Sequence, residues 1–181
     1  MGDRPAESPL RALRRRRMGL RTRRGYAVLG LRICVLGVAL WIAFSQVFLL
    51  CRNQGLGMFP AMKDGDLILA YRLQRTFTKG DVVVYTAEGR RCLGRVAAGG
   101  TDVVHMDDSG SLTVNGNPQN GEILYPTFAR ENSAYPLRVQ EGTVYVLGDY
   151  RTQTRDSRDF GPIPLEHIQG KVIAIVRRRG L

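Results

Sequence analysis

TVYVLGDYRTQTRDSRDFGPIP (143–164) opens as an apolar, β-branched run and turns, at Gly148, into a dense succession of carboxylates, guanidiniums and glycines. Thr143–Asp149 reads as a strand closed by a Gly-Asp turn. Asp149, Arg151, Arg155, Asp156, Arg158 and Asp159 then fall within eleven residues, a density that predicts a network of carboxylate–guanidinium pairs. The spacing leaves two uses equally open: a structural clamp or the wall of an active site. Working outward, LILAY (67–71), DVVVYTA (81–87), RVAAGGTDVVHM (95–106), SLTVNG (111–116) and KVIAIVRR (171–178) are further short, β-branched runs. Turn residues separate them at Lys79-Gly80-Asp81, Asp108-Ser109-Gly110 and Asn115-Gly116-Asn117. After Leu50 no segment keeps helical periodicity for twelve residues, and Pro164–Ile168 gives one turn at most. The expectation is a mainly β fold, an antiparallel sheet or barrel over residues 51–181.

Upstream, ICVLGVALWIAFSQVFLL (33–50) is eighteen residues without a charge, and Ala27–Leu31 extends it past Arg32. A bilayer core of ~30 Å needs roughly 20 apolar residues in a helix, so residues 27–50 are expected to form a transmembrane signal anchor. Phe48–Cys51 makes a poor cleavage site for a removable signal peptide. The chain carries a formal +11, which resembles a nucleic-acid binder until it is divided. Residues 1–32 hold ten arginines against Asp3 and Glu7, whereas residues 51–181 hold 17 basic and 14 acidic side chains. The basicity belongs to a tail, residues 1–26, beside a membrane span. That places the N-terminus in the cytoplasm, the body outside the cell membrane, and the membrane rather than nucleic acid as partner.

Most catalytic constellations are missing from the sequence. Cys34, Cys51 and Cys92 form neither a disulfide framework nor a metal-ligand spacing. His105 and His167 have no second ligand near them, so neither metal nor cofactor is expected. Ser109, Ser111 and Ser133 read as loop serines. The lysines number three: Lys63, Lys79 and Lys171.

VLGDYRTQTRDSRDFGPIP (146–164) resembles the late motif of type I signal peptidases, GDNRxxSxDSRxxG. GLGMFPAMKDGD (55–66) resembles that family's early motif, GxSMxPTLxxGD, and KGDVVVY, GRVAAGGTDVV and LTVNG follow its intermediate segments in order. With the tail and span, the resemblance covers nearly the whole chain. It implies an antiparallel β domain at the outer membrane surface and, in the family, cleavage of signal peptides by a serine nucleophile and a lysine base. Such a pair needs a hydroxyl within reach of an amine whose pKa apolar surroundings depress.

Here the serine position is Gly57 and the lysine position is Gly94, and glycine supplies neither nucleophile nor base. Gly148, Asp149, Arg151, Asp156, Ser157, Arg158 and Gly161 match; the residue that helps orient the lysine aligns with Thr154; the Asn of GDNR is Tyr150. The resemblance therefore implies a scaffold without its dyad. The expected function is a signal-peptidase-like protein that holds an extended segment of an exported protein without cutting it. The expected cleft comprises Gly55, Gly57, Met58, Phe59, Pro60 and Gly94, with Val82 and Val84 of the 81–87 strand taking the segment by strand addition. Dyad-less relatives that assist sortase-built pili point to pilin or sortase machinery as partners. The alternatives are an active signal peptidase, with Cys92 as replacement nucleophile, and a protein that works through its arginine tail. Gly57→Ser with Gly94→Lys is expected to restore weak cleavage if the cleft geometry survives.

Overall fold

The computed structural model describes residues 9–119, 125–130 and 133–177, with side chains from residue 25 onward. The first eight residues of the basic tail, and Arg178 of the last strand-like run, lie outside the described residues. The chain divides into two compact units, 1–45 and 46–181.

The first unit is helical: α1 runs from Pro9 to Val47. Its stretch Gly25–Val47 is 23 residues with a mean hydropathy of 2.3, and none of its apolar window is covered by protein. A core helix of a soluble protein would bury such a face. This one is long and apolar enough to cross a bilayer. Its end departs from the sequence expectation. The apolar run continues to Leu50, but Phe48–Arg52 is strand β1, because Leu49 and Cys51 are needed inward, opposite Ala70 and Ile68. Hydropathy reads the same in a span and in a buried strand, so the two merge in the sequence.

The second unit is built from two antiparallel sheets. The larger has the order β1-β2-β11-β3-β4-β9-β10, and the smaller β7-β6-β5-β8. In the larger sheet, β2 is Leu67–Tyr71, β3 Val82–Ala87, β4 Arg90–Ala98, β9 Thr143–Leu147, β10 Ile163–Pro164 and β11 Ile168–Val176. In the smaller, β5 is Val103–Met106, β6 Leu112–Val114, β7 Asn117–Pro118 and β8 Leu137–Arg138. The fold is mainly β, as the runs predicted, with two additions: a four-residue helix α2, Ser157–Phe160, and a single 3₁₀ turn, Leu165–His167. The run 95–106 is two strands, not one. It breaks at Gly99–Asp102, where Thr101 takes a positive φ of 76°, so β4 and β5 enter different sheets.

Central β3 is apolar on both faces because both are covered. Val83, Tyr85 and Ala87 pack with Val96, Val144, Val146, Ile163 and Ile168. Val84 packs on the other face with Cys51, Met58, Met62, Ile68 and Ala70. A continuous β-branched run is the pattern such a strand requires. The β3–β4 hairpin closes through Glu88 and Gly89, both at positive φ (48° and 72°), a turn whose twist matches the flanking strands.

Candidate functional site

Residues 53–66 form a pinned loop. Asn53 Nδ2 donates to the Lys63 carbonyl at 2.9 Å, the Gly55 amide donates to Asp64 Oδ1 at 2.8 Å, and the Lys63 amide donates to Asp66 Oδ2 at 2.9 Å. Met58 and Met62, each 1% exposed, plug the loop into the core beneath β1 and β2. Gly57 is thereby held at the surface of a cleft, its carbonyl accepting the Tyr150 amide at 3.0 Å. A β-carbon at Gly57 would meet Thr154 Cγ2 at 3.0 Å and open space otherwise. Beside it Tyr150 contacts Phe59 and Tyr125, with ring centroids 6.2 and 4.5 Å away.

Gly94 is a different case. It is buried in β4, opposite Val83. A β-carbon there would lie 2.5 Å from Val146 Cγ1, 3.2 Å from the Leu147 carbonyl oxygen and 3.3 Å from Tyr85 Cε1. Val146 and Tyr85 are both fully buried, so making room there disturbs the core. The expected rescue of cleavage by Gly57→Ser with Gly94→Lys therefore carries a packing cost at its second position, where Val146 has to shift.

The charged segment resolves as a clamp. Asp156, 1% exposed, accepts from the Gly148 amide (3.1 Å), the Thr154 hydroxyl (3.0 Å), the Arg158 amide (3.1 Å) and the Arg158 guanidinium (2.9 Å from both Nε and Nη2). It also caps α2. Burial works to lower the Arg158 pKa, but the Asp156 carboxylate outweighs it and holds the pKa above its ordinary value. Arg158 Nη2 donates onward to the Arg151 carbonyl at 2.6 Å, and Ser157 Oγ accepts the Val146 amide at 2.9 Å, tying the turn to β9.

The predicted network within 149–159 is only partly internal. Asp149 pairs bidentately with Arg95 of β4 (2.9 and 2.6 Å), Arg155 with Glu88, and Asp159 with Arg130. Arg151, fully buried, donates to Thr127 Oγ1 and Gln119 Oε1 rather than to a carboxylate. Burial accordingly depresses its pKa to about 10. Sequence proximity suggested partners that the fold supplies from elsewhere.

The cleft at Gly57 has a volume of about 520 Å³. One wall is Cys51–Gln54 with Gly57 and Met58; the other is Arg90–Leu93 with Thr154 and Arg155. β1 is an edge strand, and β9 pairs with β4 only over Arg95–Ala98, so among the described residues Arg90–Gly94 has one edge without a strand partner. Val96 exchanges hydrogen bonds with Gly80 and Asp81 on the β3 side. By alternation, the amides and carbonyls of Leu93 and Arg91 face the open edge. This corrects the expected docking strand: β3 is paired on both sides, by β11 and β4, and Val84 is fully buried and offers no side chain to a peptide, while Met58 borders the cleft with only 1% of its surface exposed. Val82 is half-covered and packs against the core cluster of Met58. Gly55 and Pro60 are exposed and, with Phe59 and Gly94, are not among the residues lining the cleft.

The two thiols of the cleft are both shifted toward the protonated form. Burial raises the Cys92 pKa, and it raises that of Cys51, which packs into the core. Among the described residues no group of histidines, cysteines and carboxylates is arranged to hold a metal ion.

A helix of membrane-spanning length followed by an antiparallel β domain, with a pinned glycine loop facing a buried Asp–Arg clamp, defines a signal-peptidase-like architecture. The profile of the family described as "Signal peptidase, peptidase S26" matches residues 26–177, and the chain belongs to that family. Among curated relatives, it is 31% identical over 129 residues to a probable thylakoidal processing peptidase 2 of Arabidopsis thaliana, covering 64% of this chain and 34% of that protein. It is 26% identical over 157 residues to a signal peptidase I of Bacillus caldolyticus, covering 77% and 83%. The chain thus spans about a third of the length of the thylakoidal peptidases it matches, 34% and 38%. A solved structure of a signal peptidase I from Enterococcus faecalis V583 aligns with a TM-score of 0.44 and 24% identity, over 55% of this chain and 97% of that one. Together with the apolar helix, family membership makes this a membrane-anchored protein.

The sequence reading missed the residues that fill the lysine position, Val146 and Tyr85, since nothing in a strand pattern says which side chain abuts a glycine on a neighbouring strand. It also missed the cleft arginines. Arg90 and Arg91 fall between the runs 81–87 and 95–106, and only the open edge of β4 gives them a place.

Proposed function

We propose that this protein binds an extended segment of an exported protein without cleaving it, its N-terminus in the cytoplasm and its β domain outside the cell membrane. The observation that carries this reading is the pair Gly57 and Gly94 standing at both dyad positions, the second with its side-chain space filled by Val146 and Tyr85. Beside them the cleft keeps two strand edges, β1 and the Arg90–Gly94 part of β4, between which a peptide strand gains main-chain hydrogen bonds on both sides. Removing one member of a catalytic unit forfeits most of its rate, and here both positions are empty of chemistry. The retained clamp keeps the cleft in shape, which a binder needs as much as a protease. Pilin or sortase machinery, named by resemblance alone, supplies the first partners to try.

The test incubates detergent-solubilised full-length protein with a secretory preprotein, beside an active signal peptidase, and measures both processing and association. The expected outcome is saturable association with no product. Processing at a small-residue site would overturn the reading and restore the active-peptidase alternative, with Cys92→Ala as the next variant.

A further inference from the structure

The cleft is lined by four arginines, Arg52, Arg90, Arg91 and Arg155, and by no carboxylate. All four are exposed. Arg155 is partly neutralised, pairing with Glu88 at 3.1 Å and lying over the Phe160 ring, and Arg91 spends its Nε on Gln169 at 2.8 Å. Arg52 and Arg90 have no hydrogen-bond or ion-pair partner for their side chains among the described residues. Arg52 stands at the end of edge strand β1 with its guanidinium laid against Gly65, at the border between this cleft and a neighbouring pocket, and Arg90 and Arg91 flank the open edge of β4. Even with Glu88 counted against them, the cleft lining carries net positive charge beside the open edge of β4.

Resting on the binding reading above, we propose that the cleft selects an acidic extended segment, its carboxylates meeting the guanidiniums at the two edges while its backbone pairs with β4. A guanidinium matches a carboxylate in a bidentate fork, and alternate side chains of an added strand point to the same side. A segment with carboxylates at every second position therefore presents them as a row. Small apolar side chains alone would leave the net positive charge of the lining without a counter-charge, which an acidic ligand supplies.

The test uses full-length protein in non-ionic detergent and a fluorescein-labelled peptide of alternating glutamate and alanine. Its twin has glutamine at each glutamate, and anisotropy gives both affinities. The glutamate peptide is expected to bind about tenfold tighter at low salt, since each exposed pair is worth a factor of up to about five. That advantage should shrink as salt shortens the screening length. Arg52→Gln and Arg90→Gln are each expected to weaken the glutamate peptide about two- to fivefold with the thermal midpoint unchanged. Equal affinity for the two peptides overturns the acidic preference while the binding reading stands. No binding of either peptide overturns the binding reading itself. Vesicles containing phosphatidylglycerol form the last arm: if the two variants lose vesicle binding but keep the peptide affinity, the arginines serve lipid headgroups and the proposal falls.

Discussion

Substituting Gly94 probes the closed lysine position directly. At an unobstructed strand site, Gly→Ala stabilises by about 0.4–1 kcal/mol by restricting the unfolded chain. Here the new β-carbon falls 2.5 Å from Val146 Cγ1 and 3.2 Å from a backbone oxygen, and Val146, Leu147 and Tyr85 are all fully buried. Overpacking of this kind costs about 1–3 kcal/mol, so Gly94→Ala is expected to destabilise by about 1–2 kcal/mol net. Val146→Ala removes two methyl groups, costing about 2–3 kcal/mol once the cavity is included. In the double variant the methyl group introduced by Gly94→Ala fills part of that cavity. Its cost should therefore fall short of the sum by about 1 kcal/mol or more, beyond the scatter of independent sites. The assay is thermal unfolding of all four proteins in one detergent, followed by near-ultraviolet circular dichroism. A Gly94→Ala variant as stable as the parent, or costs that simply add, would refute the argument that Val146 and Tyr85 close this position.

The remaining predictions follow the same geometry. Gly57→Ser should fold within about 0.5 kcal/mol of the parent, because its β-carbon meets only the Thr154 methyl, at 3.0 Å; a loss above about 2 kcal/mol by the same assay would contradict that. Asp156→Ala leaves the buried Arg158 charge uncompensated and should cost about 3–5 kcal/mol, seen as loss of the cooperative transition. Tyr85→Phe removes a buried hydroxyl that has no hydrogen-bond partner among the described residues and should be neutral or stabilising by up to about 1 kcal/mol, read as an unchanged or raised thermal midpoint. Acid should weaken the fold in a defined way. Partial burial pushes the Asp102 pKa up, but the Gly99 amide, the Asn115 side chain and Lys79 outweigh it and hold the carboxyl below its ordinary range. A depressed carboxylate stabilises the native state above its unfolded pKa, about 3.9, and that contribution is lost as pH falls through the lower folded value. Thermal midpoints should therefore drop below about pH 4, and drop less in Asp102→Asn.

Much of this molecule could be read from residue order alone. LILAY at 67–71 is a strand with the predicted bounds, and DVVVYTA loses only its first residue, because β-branched runs between turn residues report local backbone preference and burial together. The Asp107–Ser111 and Asn115–Gly116 turns stand where glycine and asparagine allow positive φ. The apolar helix and the two glycines at the motif positions were equally legible, since hydropathy and motif spacing are properties of the chain. The division of ICVLGVALWIAFSQVFLL between helix and strand, the break inside 95–106 and the partners of Asp149 and Arg151 were not. Each depends on contacts between residues well apart in the chain: Cys51 with Ile68, Arg95 with Asp149, Arg151 with Thr127. The fate of Gly94 is the clearest instance. Sequence shows that it lacks an amine. Only the fold brings Val146 and Tyr85 against it, because strand pairing sets distance across a sheet while the chain sets it along one.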